Sequence, residues 1–252
     1  MMKHIKAFAH TTLRLAGYQI IRVARDWNLS YDRIYPIADY APWNSDGVFL
    51  ETYDAIKRNT MVDIYRCWEL WSLVEQTAKL ARGGIIEIGV WRGGTGALIA
   101  KKAAICDIES RVYLCDTFRG VIKAGTGDTA YRGGEHADTS RCTVETLLHT
   151  LGLPNVAILE GAFPDETAHL ISDGEVFRFC HIDVDVYDSA RDIIDWIWER
   201  LCIGGIVVFD DYGFHETNGI TRFVNEQLPE RDRIVIHNLN GHAVMVKTCV
   251  SA

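Results

Sequence analysis

Ile85-Ile-Glu-Ile-Gly-Val-Trp-Arg-Gly-Gly-Thr-Gly96 is the stretch on which the reading of this 252-residue chain turns. An apolar run rich in β-branched residues ends in a glycine-dense turn, and from Ala97 the pattern becomes helical. Strand, tight turn and helix start together present free backbone N–H groups and the positive end of a helix to a ligand. A nicotinamide-type turn needs a middle glycine so that the backbone can approach a pyrophosphate. Here Val90, Trp91 and Arg92 fill the space between Gly89 and Gly93, and no Lys-Ser/Thr pair follows to make a P-loop. The turn therefore suits a cofactor without phosphates.

Working outward, strands are expected over 85–90, 111–116, 156–160, 177–183 and 205–210, with helices between them over 95–106, 141–151, 164–172 and 188–202. Such alternation indicates βαβ units and a parallel sheet with right-handed crossovers. Residues 233–239 and 242–247 read as two strands joined by Asn240-Gly241, a strong hairpin signal. The expected fold is thus α/β and Rossmann-like, a mostly parallel seven-stranded sheet ending in an antiparallel hairpin. Residues 117–140 hold five glycines and little apolar content, and they follow the second strand at the ligand-binding end of such a sheet. They read equally as a lid or as a disordered excursion.

Upstream, 50–80 has helical spacing (Ile56, Ile64, Trp68, Trp71 and Val74) and closes at Gly83-Gly84. Residues 1–27 place Ile5, Phe8, Leu13, Ile20 and Val23 opposite Lys3, Lys6, Arg14, Arg22 and Arg25. That pattern fits a helix packed on its own core or on a partner subunit better than one lying on a membrane. Residues 1–50 are then a helical extension and connection, and 51–252 the α/β domain. A homo-oligomer joined through the extension is the expectation.

A net charge of −8 argues against a nucleic-acid surface, which needs clustered cations. The seven cysteines are scattered, with no Cys-x-x-Cys to suggest a disulfide framework or a structural zinc. No run is apolar and long enough for a transmembrane segment, and no signal-peptide core is visible, so a cytoplasmic setting is expected.

The acids come next. Asp116 ends the second strand, where a carboxylate can accept both hydroxyls of a ribose; its bland reading is a cap on the next segment. Asp183 and Asp185 end another strand, two apart and so on one side, and Asp210-Asp211 end the next. So many acids in one small volume repel unless a cation neutralises them, and all-oxygen ligation suits Mg²⁺ or another hard divalent ion. Helix caps would account for one or two of them, such as Asp185 or Asp211, but not for the set.

Together, Glu-Ile-Gly-Val-Trp-Arg-Gly-Gly (87–94), Asp-Thr-Phe-Arg-Gly (116–120), Gly-Ala-Phe-Pro-Asp (161–165), His-Ile-Asp-Val-Asp-Val-Tyr (181–187) and Gly-Gly-Ile-Val-Val-Phe-Asp-Asp-Tyr-Gly (204–213) resemble the macrocin O-methyltransferase family. Its members are class I, metal-dependent sugar O-methyltransferases. The resemblance spans about residues 58–247 and implies S-adenosylmethionine on the turn through Glu87, Gly89, Trp91, Arg92 and Gly93. It places ribose on Asp116 beside Thr117, adenine near Gly161, Ala162 and Phe163, and the methionine part under Thr60 and Met61, with Asp183 also among the cofactor-binding residues. The family's metal ligands fall on Asp183, Asp210 and Asp211. The partner implied is a small glycosyl acceptor, chosen by residues 1–50 and 121–140, which do not match closely. Catechol-type relatives carry a lysine base shortly after the first metal aspartate. Val184 to Tyr187 hold none, which leaves Asp183 itself as the first choice for the base, ahead of His136 and His215. A catechol-type enzyme and a non-catalytic S-adenosylmethionine-binding subunit are the competing readings.

Overall fold

Alternation of side chains along the strands decides which helices cover which face of the sheet. In a computed structural model, which describes Tyr31 and residues 38–250, the chain divides into Met1–Pro36 and Ile37–Ala252. The account below is of the second unit; the helix expected over 1–27 lies outside the described residues. Seven strands, β1 (Gly84–Ile88), β2 (Val112–Asp116), β3 (Val156–Glu160), β4 (Phe177–Ile182), β5 (Leu201–Phe209), β6 (Arg233–His237) and β7 (Ala243–Lys247), form one sheet in the order β3-β2-β1-β4-β5-β7-β6. The first five run parallel, and β7 and β6 are antiparallel to their neighbours.

Six helices complete the unit among the described residues: α1 (Gly47–Ile56), α2 (Ile64–Thr77), α3 (Gly94–Ile105), α4 (Arg141–Thr150), α5 (Tyr187–Arg200) and α6 (Asn218–Glu226). Ile85, Leu114, Phe179 and Val208 pack against Phe49 of α1, Leu70 and Trp71 of α2 and Leu98 of α3. The alternate residues, Ile86, Cys115, Cys180 and Val207, pack against Ile193 and Ile197 of α5 and Phe223 of α6. Each fully buried aliphatic or aromatic side chain contributes roughly 1.5–3 kcal/mol, so both faces are anchored independently. No helix among the described residues is long and apolar enough to cross a membrane.

Two expectations are corrected, and one helix was not foreseen. The helical pattern over 50–80 is two helices, because Asp46 caps α1 through Phe49 N (2.9 Å) and Asp63 caps α2 through Tyr65 N (2.9 Å) and Arg66 N (3.1 Å). The linker between them lies on the glycine turn, where Asn59 O accepts from Gly94 N at 3.0 Å. Residues 164–172 form only a 3-10 turn at Ala168–Leu170, and the Glu166 side chain folds back to Ala162 N (2.8 Å). Helix α6 is amphipathic but only nine residues long, with Ile220, Phe223 and Val224 as its buried apolar face, too short a run for periodicity to stand out.

Strand order reverses between β1 and β4, the point where open α/β sheets leave a crevice beyond their carboxyl ends. Gly89 leaves β1 there with φ +85°, and a Cβ on it would lie 1.7 Å from Asp183 O. Glycine is required by that approach as well as by its φ.

Candidate active site

The turn after β1 is held by an acid from β2. Asp116 Oδ2 accepts from Val90 N (2.6 Å) and Trp91 N (2.7 Å), and Asp116 Oδ1 accepts from Phe118 N (2.7 Å). These bonds hold Trp91 at φ +46° and Phe118 at φ +50°, left-handed conformations that non-glycine residues adopt reluctantly. A carboxylate offers about four acceptor positions, so the three bonds leave about one for a ligand hydroxyl. Both readings of Asp116 therefore have a structural basis: it caps the following residues and still faces the crevice.

Glu87 behaves differently. Strand alternation turns it away from the crevice into the core beneath α3, where it is fully buried and its Oε1 meets His181 Nδ1 at 2.7 Å. A Cβ on Gly96 would come within 2.5 Å of Glu87 Oε2, so the glycine in the helix start makes room for this acid.

At the ends of β4 and β5 the acids converge as expected. Carboxylate oxygens of Asp183, Asp210 and Asp211 all lie within 4.8 Å of one another. Burial, reinforced by repulsion from Asp210, pushes the Asp183 and Asp211 carboxyls well above the usual carboxylate range, and Asp211 Oδ2 is buried without a partner. Burial acts the same way on Asp210, but pairing with His242 and the Arg66 charge hold it below that range instead. Asp185, at φ +65°, also carries a carboxyl raised by burial, eased by a hydrogen bond from Tyr131. Neither Asp185 nor Asp211 is a helix cap: α5 begins after Val186 and α6 after Thr217.

A single cavity of about 310 Å³ joins the two ends. Its end at the glycine turn is lined by Thr60, Met61, Gly89, Trp91, Asp116, Thr117, Gly161 and Phe163, and its acid end by Asp183, Asp185, Asp210, Asp211, Tyr131 and His136. Glu87, Arg92, Gly93, Ala162 and His215, also proposed from the sequence, do not line it. Arg92 instead pairs with Asp138 at 2.5 Å. Tyr131 joins the site without any sign of it in the sequence, and Asp185, one of the acids read there as calling for a cation, lies beside the other three. Strand alternation already put Asp185 beside Asp183, whereas nothing in a glycine-rich loop identifies Tyr131.

Loop 117–140 reaches the cavity because it is pinned at several places. Trp91 Nε1 donates to Asp138 Oδ1 (2.9 Å), and buried Asp128 accepts from Gly125 N (2.9 Å) and, across the cavity rim, from Tyr187 N (3.1 Å). Lys123 bridges Asp165 and Asp192, each at 2.6 Å. Tyr131 OH then sits 3.4 Å from His136 Nε2 and bonds Asp185.

Sheet order, terminal hairpin and crevice define the class I methyltransferase fold. The solved structure of the O-methyltransferase NovP aligns with a TM-score of 0.66 at 23% identity, over 76% of this chain and 83% of that one. The family described as "Macrocin-O-methyltransferase (TylF)" matches residues 55–237, and the chain belongs to that family. A relative from Streptomyces olivaceus, 8-demethyl-8-(2,3-dimethoxy-alpha-L-rhamnosyl)-tetracenomycin-C 4'-O-methyltransferase, is 32% identical over 165 residues, 61% of this chain and 62% of the relative. Mycinamicin III 3''-O-methyltransferase of Micromonospora griseorubida is 28% identical over 167 residues, 61% of this chain and 65% of that protein. The chain thus spans slightly less than two thirds of the length of these curated relatives.

Proposed function

We propose that the chain is an S-adenosylmethionine-dependent O-methyltransferase acting on a sugar hydroxyl of a glycosylated natural product or polysaccharide precursor, with Mg²⁺ or a similar divalent ion held by Asp183, Asp210 and Asp211. One observation carries the reading: a single cavity has the Gly89–Trp91 turn at one end and the Asp183, Asp210 and Asp211 cluster at the other. The names of the relatives support the acceptor class. Glu216 and Thr217 line the cavity along with the aspartates, polar groups suited to the hydroxyls of a sugar.

The residues fit a hard cation. Three carboxylates offer oxygens within one coordination sphere, one oxygen is buried and unpartnered, and two of the acids resist ionising together without added positive charge. When bound, such an ion supplies Lewis acidity that makes a sugar hydroxyl a better nucleophile. The chain's own residues do the rest. The Asp116-braced turn, Thr60 and Met61 hold the donor, and Phe163 borders its far end. The hydroxyl oxygen takes the sulfonium methyl as the carbon–sulfur bond breaks, leaving the thioether product. Asp185 is the proton acceptor we assign: it lies in the cavity, stands outside the three-carboxylate group and is oriented by Tyr131. A carboxylate committed to a cation is the poorer base, which moves this role from Asp183 to its neighbour. Fixing the reacting groups next to each other can supply a large part of the acceleration.

The test is methyl transfer from labelled S-adenosylmethionine to a panel of nucleotide sugars and glycosides, with Mg²⁺ and with excess chelator. Transfer to at least one glycoside, lost on chelation, is expected; transfer to catechols alone, or undiminished transfer in chelator, refutes the reading.

A further inference from the structure

The acid cluster has a cationic neighbour that belongs to the protein. Arg66, on the first turn of α2, places Nη1 2.5 Å from Asp210 Oδ1 and donates from Nε to Asp63 Oδ2 at 2.9 Å. On its other side, His242 Nε2 lies 2.9 Å from the same Asp210 oxygen, and His242 Nδ1 meets Glu69 Oε2 at 2.6 Å. The Arg66 side chain is 9% exposed and that of Asp210 5%, so this is a buried ion pair rather than a solvated one. Arg66 also forms part of the cavity wall. His181, Asp210 and His242 make a second group with ligand atoms near one another. The guanidinium lies against the same Asp210 oxygen that His242 faces, so Arg66, Asp210 and His242 form a charge-neutralising network.

We propose that Arg66 is a resident counter-ion of the Asp183–Asp210–Asp211 cluster, one that offsets part of the carboxylates' charge in the cation-free protein and keeps its divalent-ion affinity low. The inference rests on the proposed cation site. Buried carboxylates at this spacing destabilise one another unless a positive charge stands beside them, and Arg66 supplies one at all times. An arriving ion then shares Asp210 with a fixed guanidinium, and like charges a few ångströms apart in a poorly screened site repel strongly. Arg66 would act through Asp210 and is thus a positioning residue, setting how readily the ion exchanges.

Mn²⁺ titration by calorimetry, and thermal melts with and without Mn²⁺, on the full-length protein and its Arg66→Gln and Arg66→Lys variants test this. Arg66→Gln should melt lower than wild type without the ion, gain more from Mn²⁺, and bind it about tenfold or more tightly, the direction set by removing a nearby positive charge. Arg66→Lys, which keeps the charge, should bind Mn²⁺ like wild type. Equal or weaker binding by Arg66→Gln overturns the inference. So does equal tightening in Arg66→Lys, which would point to geometry rather than charge, and so does a Gln variant that stays unfolded at saturating Mn²⁺. A wild-type protein with neither heat nor melting shift on adding Mn²⁺ overturns the cation site itself, an outcome distinct from a failure of Arg66 alone.

Discussion

Asp116→Asn is the substitution that most sharply separates holding the turn from holding the donor. The carboxylate accepts three backbone N–H bonds at 2.6–2.7 Å, two on Oδ2 and one on Oδ1. An amide of the same shape keeps one oxygen but must point its NH₂ at an N–H on the other side. Facing Phe118 is the milder choice, since only one donor is then left unpaired. Losing one charge-assisted bond and orphaning its partner costs about 1.5–3 kcal/mol. At this chain length each kcal/mol lowers the melting temperature by about 2–4 °C, giving a fall of about 3–12 °C. Donor affinity, read by calorimetry with S-adenosylhomocysteine, should drop as well, because Trp91 and Val90 shift with the turn. Asp116→Ala, which strips all three acceptors, should be worse on both measures. Weakened donor binding at an unchanged melting temperature would refute the bracing role; both quantities unchanged would remove Asp116 from the site altogether.

Gly89→Ala should fail to give folded protein in circular dichroism and melting assays, because its Cβ would lie 1.7 Å from the Asp183 carbonyl; a wild-type-like melt would contradict that packing. Asp128→Ala removes the acceptor for Gly125 N and Tyr187 N, so limited proteolysis should cut within 117–140 at least several-fold faster while the sheet stays intact. An unchanged cleavage rate would mean that the loop is held elsewhere.

The sequence carries the centre of this fold well and its periphery poorly, for identifiable reasons. Ile85–Gly96 combines a β-branched run with glycines that local backbone geometry demands, and Asn240-Gly241 specifies a hairpin by itself, so both are readable without tertiary information. The break at residues 57–63 is masked because Ile56 and Met61 keep an apolar spacing across it, and only the capping Asp63 reveals it. The family resemblance sets Glu87 with the cofactor. Period-two alternation puts it instead on the same face as Ile85, under α3, a signal present in the sequence but outweighed by the motif. The convergence of Asp183, Asp210 and Asp211 was legible because adjacent parallel strands end side by side. Their partners were not: Arg66 lies 144 positions from Asp210, and nothing local in either segment encodes that pairing. Tyr131 is the extreme case, positioned by a loop whose order depends on Asp128 and Asp138 finding partners elsewhere.

The central claim is that the donor turn and the acid cluster are two separable halves of one active site. Its most direct measurement is donor affinity and methyl transfer side by side in Asp183→Ala, with S-adenosylhomocysteine binding followed by calorimetry and transfer to the accepted glycoside followed by label. The structure predicts donor affinity within about threefold of wild type, since the turn's bonds run to Asp116 and not to the Asp183 side chain, while transfer is lost. Transfer persisting in that variant would contradict the account.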